Sequence, residues 1–324
     1  NMPKTKNTLN LEDISFVGGG LQRPECVLAA KTGEVFASDA RGGVSIIYPG
    51  GSNKFLKAKG VPEDLLPNGI ALTHDRHLLM ANLAPSSGVW RMNMDGQAEL
   101  ILAEADGISL PPVNFVGVDN QKRIWISVSS SQTPRDKAFG QTIADGFIVL
   151  MDQRGARIVA ESIAFANEAI VDPTGEWLYV NETIGRRTIR FPIKSSGDLG
   201  ARETFAEYEH GTIPDGFNFD VEGAVWMVGV GSNRIIRTDR DGHQETIFED
   251  VSHSDLEEIS SASREDRFSR KHIDIGASSR LGNIASLAFG GGDLKTVYLG
   301  SLANSKVATF RSPIAGAPPV HWDY

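Results

Sequence analysis

A chain of 324 residues with 40% hydrophobic and 23% charged residues is composed like an ordinary globular protein, and it has no apolar run near the roughly 20 residues that a membrane helix needs. A net charge of -9 and a pI near 5.3 argue against nucleic acid, because phosphate binding needs a basic face and Lys and Arg are scattered here. The length exceeds a usual single core, leaving two domains or one architecture that grows by repeating a unit.

In chain order, the segment LEDISFVGG (11–19) reads as a strand ahead of any full unit, expected to close a ring by pairing in the last one. Short alternating or apolar strands then recur: VFASD, LLMAN, IWISV, LYVNE, VWMVG and VYLGS, anchored at Phe36, Leu79, Trp125, Tyr179, Trp226 and Tyr298. Intervals between anchors are 43, 46, 54, 47 and 72 residues, mostly one propeller blade. Each anchor strand is followed by another, VSIIYPGG (44–51), VWRMNMDG (89–96), FIVLMDQRG (147–155), TIRFPI (188–193), RIIRTDRDG (234–242) and VATFRSP (307–313), most ending in glycine turns suited to hairpins. Two insertions break the period, residues 129–145 and 252–282, and are expected as loops over the channel or the surface. No segment before residue 250 keeps a helical period.

A polar residue precedes each anchor at a nearly fixed offset. Glu25, Asn68, Asn114 and Asp215 stand 11 residues ahead, and Asn167 stands 12 ahead; Ser286, also 12 ahead, is a weaker sixth copy. Four strands per unit and six units predict an all-β fold, a six-bladed β-propeller in one domain spanning 1–324. Equivalent positions around its axis would bring these side chains to one point in the central channel. A ring of carboxylates and amides there suits a hard divalent cation, Ca²⁺ first, with Mg²⁺, Mn²⁺ or Zn²⁺ as alternatives. Asn and Asp also cap turns, so each residue alone supports either reading.

At these residues the chain resembles the gluconolactonase and regucalcin (senescence marker protein) family of six-bladed propellers over nearly its whole length. The matching segments are RPECVLA, LPNGIALTHD, PPVNFVGVD, FANEAIVDPTGEWLYVNET, IPDGFNFDVEGAVWMV and IASLAFGGGDLKTVYLGS. The resemblance implies that Glu25, Asn167 and Asp215 bind one divalent cation and that Asn114 helps hold metal or substrate. It implies hydrolysis of a lactone. The related diisopropylfluorophosphatase and paraoxonase enzymes put phosphotriesters in reach, and a non-catalytic binding propeller is the other alternative. Where sugar-lactone members show Arg before Asn-Asp-Gly in the third unit, this chain has Pro112, Val113, Asn114, Phe115 and Val116. Phe115, if it faces the mouth, would suit a less polar lactone or ester; packing between blades is the alternative. Glu168 replaces the family's glycine after Asn167, either as a spare carboxylate at the site or as a surface group paired with Arg186 or Arg187.

These residues carry the expected roles as follows. Asp215 is the general base toward water, Glu25, Asn167 and Asp215 hold the metal, and Asn114, Phe115 and Glu168 meet the substrate. None of the seven histidines sits at the repeated offset, though His253 or His272 in the long insertion could reach the channel. Cys26 is the single cysteine and should be a buried, inert thiol. The start NMPKTKNTLN carries no apolar signal segment, which with one cysteine predicts a cytoplasmic protein. The triplet Asn181-Glu182-Thr183 matches a glycosylation acceptor and is given little weight on that ground. The partner is expected to be a small lactone or ester, without nucleic acid or membrane; oligomeric state is left open.

Overall fold

The computed structural model describes residues 8–324, so part of the start read above for a signal segment lies outside them. Six four-stranded antiparallel sheets form the blades of the propeller. Blade one runs Val27–Ala29, Val35–Asp39, Gly43–Ile47 and Asn53–Lys57, and blade two runs Pro67–Leu72, Leu78–Asn82, Val89–Met92 and Ala98–Leu102. Blade three comprises Phe115–Val118, Ile124–Val128, Gly146–Asp152 and Gly155–Ile163, and blade four Ala166–Val171, Trp177–Glu182, Arg187–Pro192 and Glu203–Glu207. Blade five comprises Ile213–Phe219, Val225–Val230, Arg234–Thr238 and Gln244–Glu249. Blade six takes Ile284–Gly290, Thr296–Ser301 and Val307–Arg311, and its outer strand is Ser15–Val17 from the other end of the chain. The expected ring closure is therefore present, with Phe16 opposite Ala308.

The sequence repeat has a simple cause in the hairpin register. In each of the first five blades the anchor lies opposite the residue three positions after the polar one: Phe36 with Leu28, Leu79 with Ala71, Trp125 with Gly117, Tyr179 with Ile170 and Trp226 with Asn218. The weaker sixth copy differs, since Tyr298 faces Ala288, two positions after Ser286. Its anchor is also only half-buried, whereas Phe36, Leu79, Trp125 and Trp226 are at most 1% exposed.

Another marker recurs within the hairpins. Asp119, Asp172 and Asp220 each stand five residues after the polar position and accept backbone N–H groups of the following turn. In blades three and five the same aspartate accepts the indole N–H of the anchor, Trp125 or Trp226, at 2.9 Å. A buried indole thus keeps its hydrogen bond while its rings fill the core. Neighbouring blades meet through edge-on aromatic pairs, Trp226 with Phe289 at 5.1 Å and Tyr179 with Phe219 at 4.9 Å between ring centres.

The insertion 252–282 is not a plain loop. It folds into α1 (His253–Arg264), α2 (Arg270–Asp274) and a short 3-10 turn (Ile275–Ser278). Ser252 caps α1 by accepting from the N–H of Asp255 at 3.1 Å, and Ile259 and Ala262 face inward. The insertion 129–145 contains a 3-10 helix, Arg135–Phe139. Among the described residues no helix is long and apolar enough to cross a membrane.

Candidate functional site

The innermost strand of a blade would normally alternate its side chains between its two faces, and a bulge is what re-aims one of them. Register shifts fall beside the polar residue in blades two, four and five, between Pro67 and Ile70, Ala166 and Ala169, and Pro214 and Phe217. Asn68, Asn167 and Asp215 sit inside those shifts. Glu25 and Asn114 lie just ahead of their strands, and the Asn114 N–H still donates to the Ser127 carbonyl of the adjoining strand at 3.0 Å.

Glu25, Asn68, Asn114, Asn167 and Asp215 line one small cavity of about 30 Å³, together with Arg23, Arg135, Phe139, Phe165, Thr183 and Arg270 among others. All five polar residues are buried. Four of them present an oxygen with no hydrogen-bond partner: Glu25 Oε2, Asn114 Oδ1, Asn167 Oδ1 and Asp215 Oδ1. Buried polar atoms are nearly always satisfied, and each orphan costs about 1–3 kcal/mol. Four orphans in one small cavity, all oxygen and two from carboxylates, are the donor set of a hard dication.

The surroundings hold these oxygens in place. Asn167 donates its amide N–H to Thr183 Oγ1 at 3.1 Å, which turns Oδ1 toward the cavity, and Thr183 in turn donates to the Pro214 carbonyl at 2.7 Å. Asn181 is fully buried and donates to the Asp215 carbonyl at 2.9 Å, so the glycosylation triplet is a structural element instead. Ser286 Oγ donates to the Glu25 carbonyl at 2.7 Å and orients that strand; it brings no ligand of its own. Asn68 Oδ1 is taken by Arg23 Nη1 at 2.8 Å, and its amide group donates to the Asn114 carbonyl at 2.8 Å.

Charge in the cavity is strongly perturbed. Burial pushes the Glu25 carboxyl up to about 7 despite Arg23 and Arg135 nearby. Burial, then the proximity of Glu25, pushes Asp215 well above the usual carboxylate range. Two close carboxylates in low dielectric repel each other, and a cation between them reverses that field. The residues present therefore fit a divalent metal.

Two substrate expectations change. Phe115 does not face this cavity: it packs with Phe36, Ile70 and Met80 between blades, at the far end of the axis. Its strand begins one residue after Asn114, so alternation turns it away, and the inference of a less polar substrate loses its support. Glu168 neither reaches solvent nor meets Arg186 or Arg187, which bond the Tyr208 carbonyl and Glu182. It is buried, with Oε1 accepting from the Phe217 N–H at 3.3 Å and Oε2 unpartnered, and burial followed by Glu25 and Asp215 raises its pKa strongly. The surface pairing is thereby excluded, and the buried carboxyl group stands outside the lining of the small cavity. Cys26 is buried as expected, its Sγ against the backbone of Ile70.

Sequence reading missed the three arginines. Arg23 lies two residues before Glu25, while Arg135 and Arg270 come from the two insertions, where no repeat marks them. None of the histidines lines the cavity; His272 is buried inside the roof, between Ser269 and Glu258. Half-buried Asp239 and exposed Asp241 and His243 have ligand atoms close together, but Asp239 Oδ1 is occupied by the N–H groups of its own turn. A larger cavity of about 350 Å³ opens at the opposite end of the axis, and its lining is mostly apolar.

The family described as SMP-30/Gluconolactonase/LRE-like region matches residues 24–249. A 6-deoxy-6-sulfogluconolactonase of Pseudomonas putida is 25% identical over 229 residues, covering 70% of this chain and 66% of that protein. The solved gluconolactonase of Xanthomonas campestris superposes with a TM-score of 0.67 at 18% identity, over 91% of this chain and 88% of that one. Regucalcin from Agrobacterium tumefaciens, a calcium-binding protein, gives 0.66 at 15% identity over 93% and 96%.

Proposed function

From the chain's membership of the SMP-30/gluconolactonase/LRE-like family, we propose that it opens a lactone by hydrolysis, with one divalent cation held by Glu25, Asn114, Asn167 and Asp215. The observation that carries this is the convergence of four unpartnered oxygens, from residues of four different blades, in one buried cavity. An all-oxygen set with two carboxylates favours Ca²⁺, while Mg²⁺, Mn²⁺ and Zn²⁺ are the alternatives to test.

When bound, the cation would polarise the lactone carbonyl and stabilise the negative charge that develops on it. The Asp215 carboxylate accepts no hydrogen bond from any described residue, so one of its oxygens remains free to take a proton from the attacking water. The water oxygen bonds to the carbonyl carbon, the ring ester C–O bond breaks, and the proton held by Asp215 passes to the departing alkoxide. Hydroxy acid is the product, and Asp215 is left ionised. Asn114 fixes the carbonyl in position, and Asn167 is kept in register by Thr183.

Hydrolysis of a panel of lactones, run with chelator and after return of each metal, tests the reading. Activity lost to chelator and restored by a divalent ion is expected. Asp215→Asn should keep the fold and a bound metal while lowering turnover by about a hundredfold or more. A metal-loaded Asp215→Asn protein with undiminished activity would remove the role of Asp215.

A further inference from the structure

Three guanidinium groups share the cavity with the proposed metal ligands. Arg23 is engaged with Asn68 at 2.8 Å, and Arg270 with Asp136 at 2.9 and 3.4 Å. Arg135 has no hydrogen bond or ion pair with any described residue; its guanidinium only lies against the Phe165 ring, 5.4 Å from the centroid. It is half-buried by area and lines the cavity beside Arg23 and Arg270. That desolvation, with Arg270 and Arg23 close by, lowers it to about 10. A guanidinium partly withdrawn from water without a partner loses solvation that an anion beside it would replace.

The charge count points the same way. With a dication bound, the carboxylates of Glu25 and Asp215 are balanced, leaving three guanidiniums against Asp136. Even with Glu168 ionised, one positive charge remains. Guanidinium forks match carboxylate, sulfonate and phosphate through paired N–H donors.

Resting on the lactonase reading, we infer that the substrate is a lactone carrying an anionic substituent, and that Arg135, with Arg270 beside it, receives that group while the ring ester lies toward Asp215. The two arginines come from different insertions and stand on the roof side of the cavity, while the metal ligands come from the inner strands below. Reacting centre and charged handle would thus be gripped by separate parts of the fold. Arg135 is a specificity-determining residue in this arrangement.

The test compares gluconolactone with the same lactone phosphorylated on its terminal hydroxyl, using metal-loaded protein. The expected result is kcat/KM at least tenfold higher for the phosphorylated lactone, and a fall in that ratio of about ten- to a hundredfold in Arg135→Met. Arg135→Lys, which keeps the charge but not the fork, should fall between the two. A wild-type ratio at or below one, or an equal loss on both lactones in Arg135→Met, overturns the inference. If neither lactone is opened, the lactone panel above decides the lactonase reading and calorimetry with inorganic phosphate decides the subsite by itself. Saturable binding weakened tenfold or more by Arg135→Met upholds it, and absent or unaltered binding overturns it.

Discussion

Gly216 shows how little room the channel leaves for one added methyl. A Cβ there would stand 2.5 Å from the Ala285 carbonyl oxygen and 2.5 Å from Glu168 Oε2. The neighbouring blade cannot yield at a backbone oxygen, so Gly216→Ala should cost about 1–3 kcal/mol in denaturant unfolding. An unchanged midpoint would mean that the blades shift more freely than this packing allows. Glu168 stands where blade four could have had its own glycine, and Gly216 makes space for its carboxyl group.

His321 carries a second consequence at this scale. It donates from Nε2 to the Ala29 carbonyl at 2.8 Å, and burial lowers its pKa from 6.5 to about 4. The folded state favours neutral imidazole, so its contribution is complete above pH 6.5 and is lost as pH falls through 4. The difference is worth about 3 kcal/mol. His321→Gln keeps a donor without the titration, and its stability should decline less than wild type between pH 7 and 4 by chemical denaturation. Parallel declines would mean that His321 is not the group responsible.

The two insertions act as one element. Arg270 of α2 pairs with Asp136, the Gln141 N–H donates to Asp266 at 2.9 Å, and Phe139 packs on Phe165 and Phe268 at 5.1 and 5.4 Å between ring centres. Together they roof the cavity, whose 30 Å³ is far below the roughly 300–1,000 Å³ of ordinary small-molecule sites. Phe139→Ala removes a side chain only 4% exposed and should weaken the roof by about 3 kcal/mol or more. Hydrogen exchange across residues 253–274 should then quicken while the blade strands stay protected. If protection there is unaltered, the insertions do not share one cluster.

Legibility followed the same division. Blade strands were readable because a two-residue period and a fixed hairpin register impose a regular offset on polar residue and anchor. The four metal-site candidates fell out of that offset. Phe115 was misplaced because alternation decides its face and the start of its strand, one residue after Asn114, was not known. The helices of 252–282 were hidden by their serine and charge content, although Ser252 and Asp255 in the spacing of a capping box offered a signal. Arg135 and Arg270 reach the site only through the packing of two loops far apart in sequence, which no local period encodes.

At the scale of the whole molecule, the ring is held shut by a strand of three residues. Ser15–Val17 supplies the outer edge of blade six and ties residues near both ends of the chain together. Removing it leaves Val307–Arg311 as an open edge, an invitation to pair with another chain. Truncation to residue 18 should therefore lower the melting temperature and produce higher-order species in size-exclusion chromatography. A truncated protein that stays monodisperse at the original melting temperature would show that the other blade contacts suffice for closure.

The ion pair between Asp136 and Arg270 has a bearing on how such proteins diverge. Each partner sits in a different excursion from the repeat, so exchanging one excursion for a segment without its partner residue would leave the other's charge unpaired. Swapping both at once should transplant selectivity between homologous scaffolds, and swapping one should yield a protein that folds its blades yet handles no substrate well.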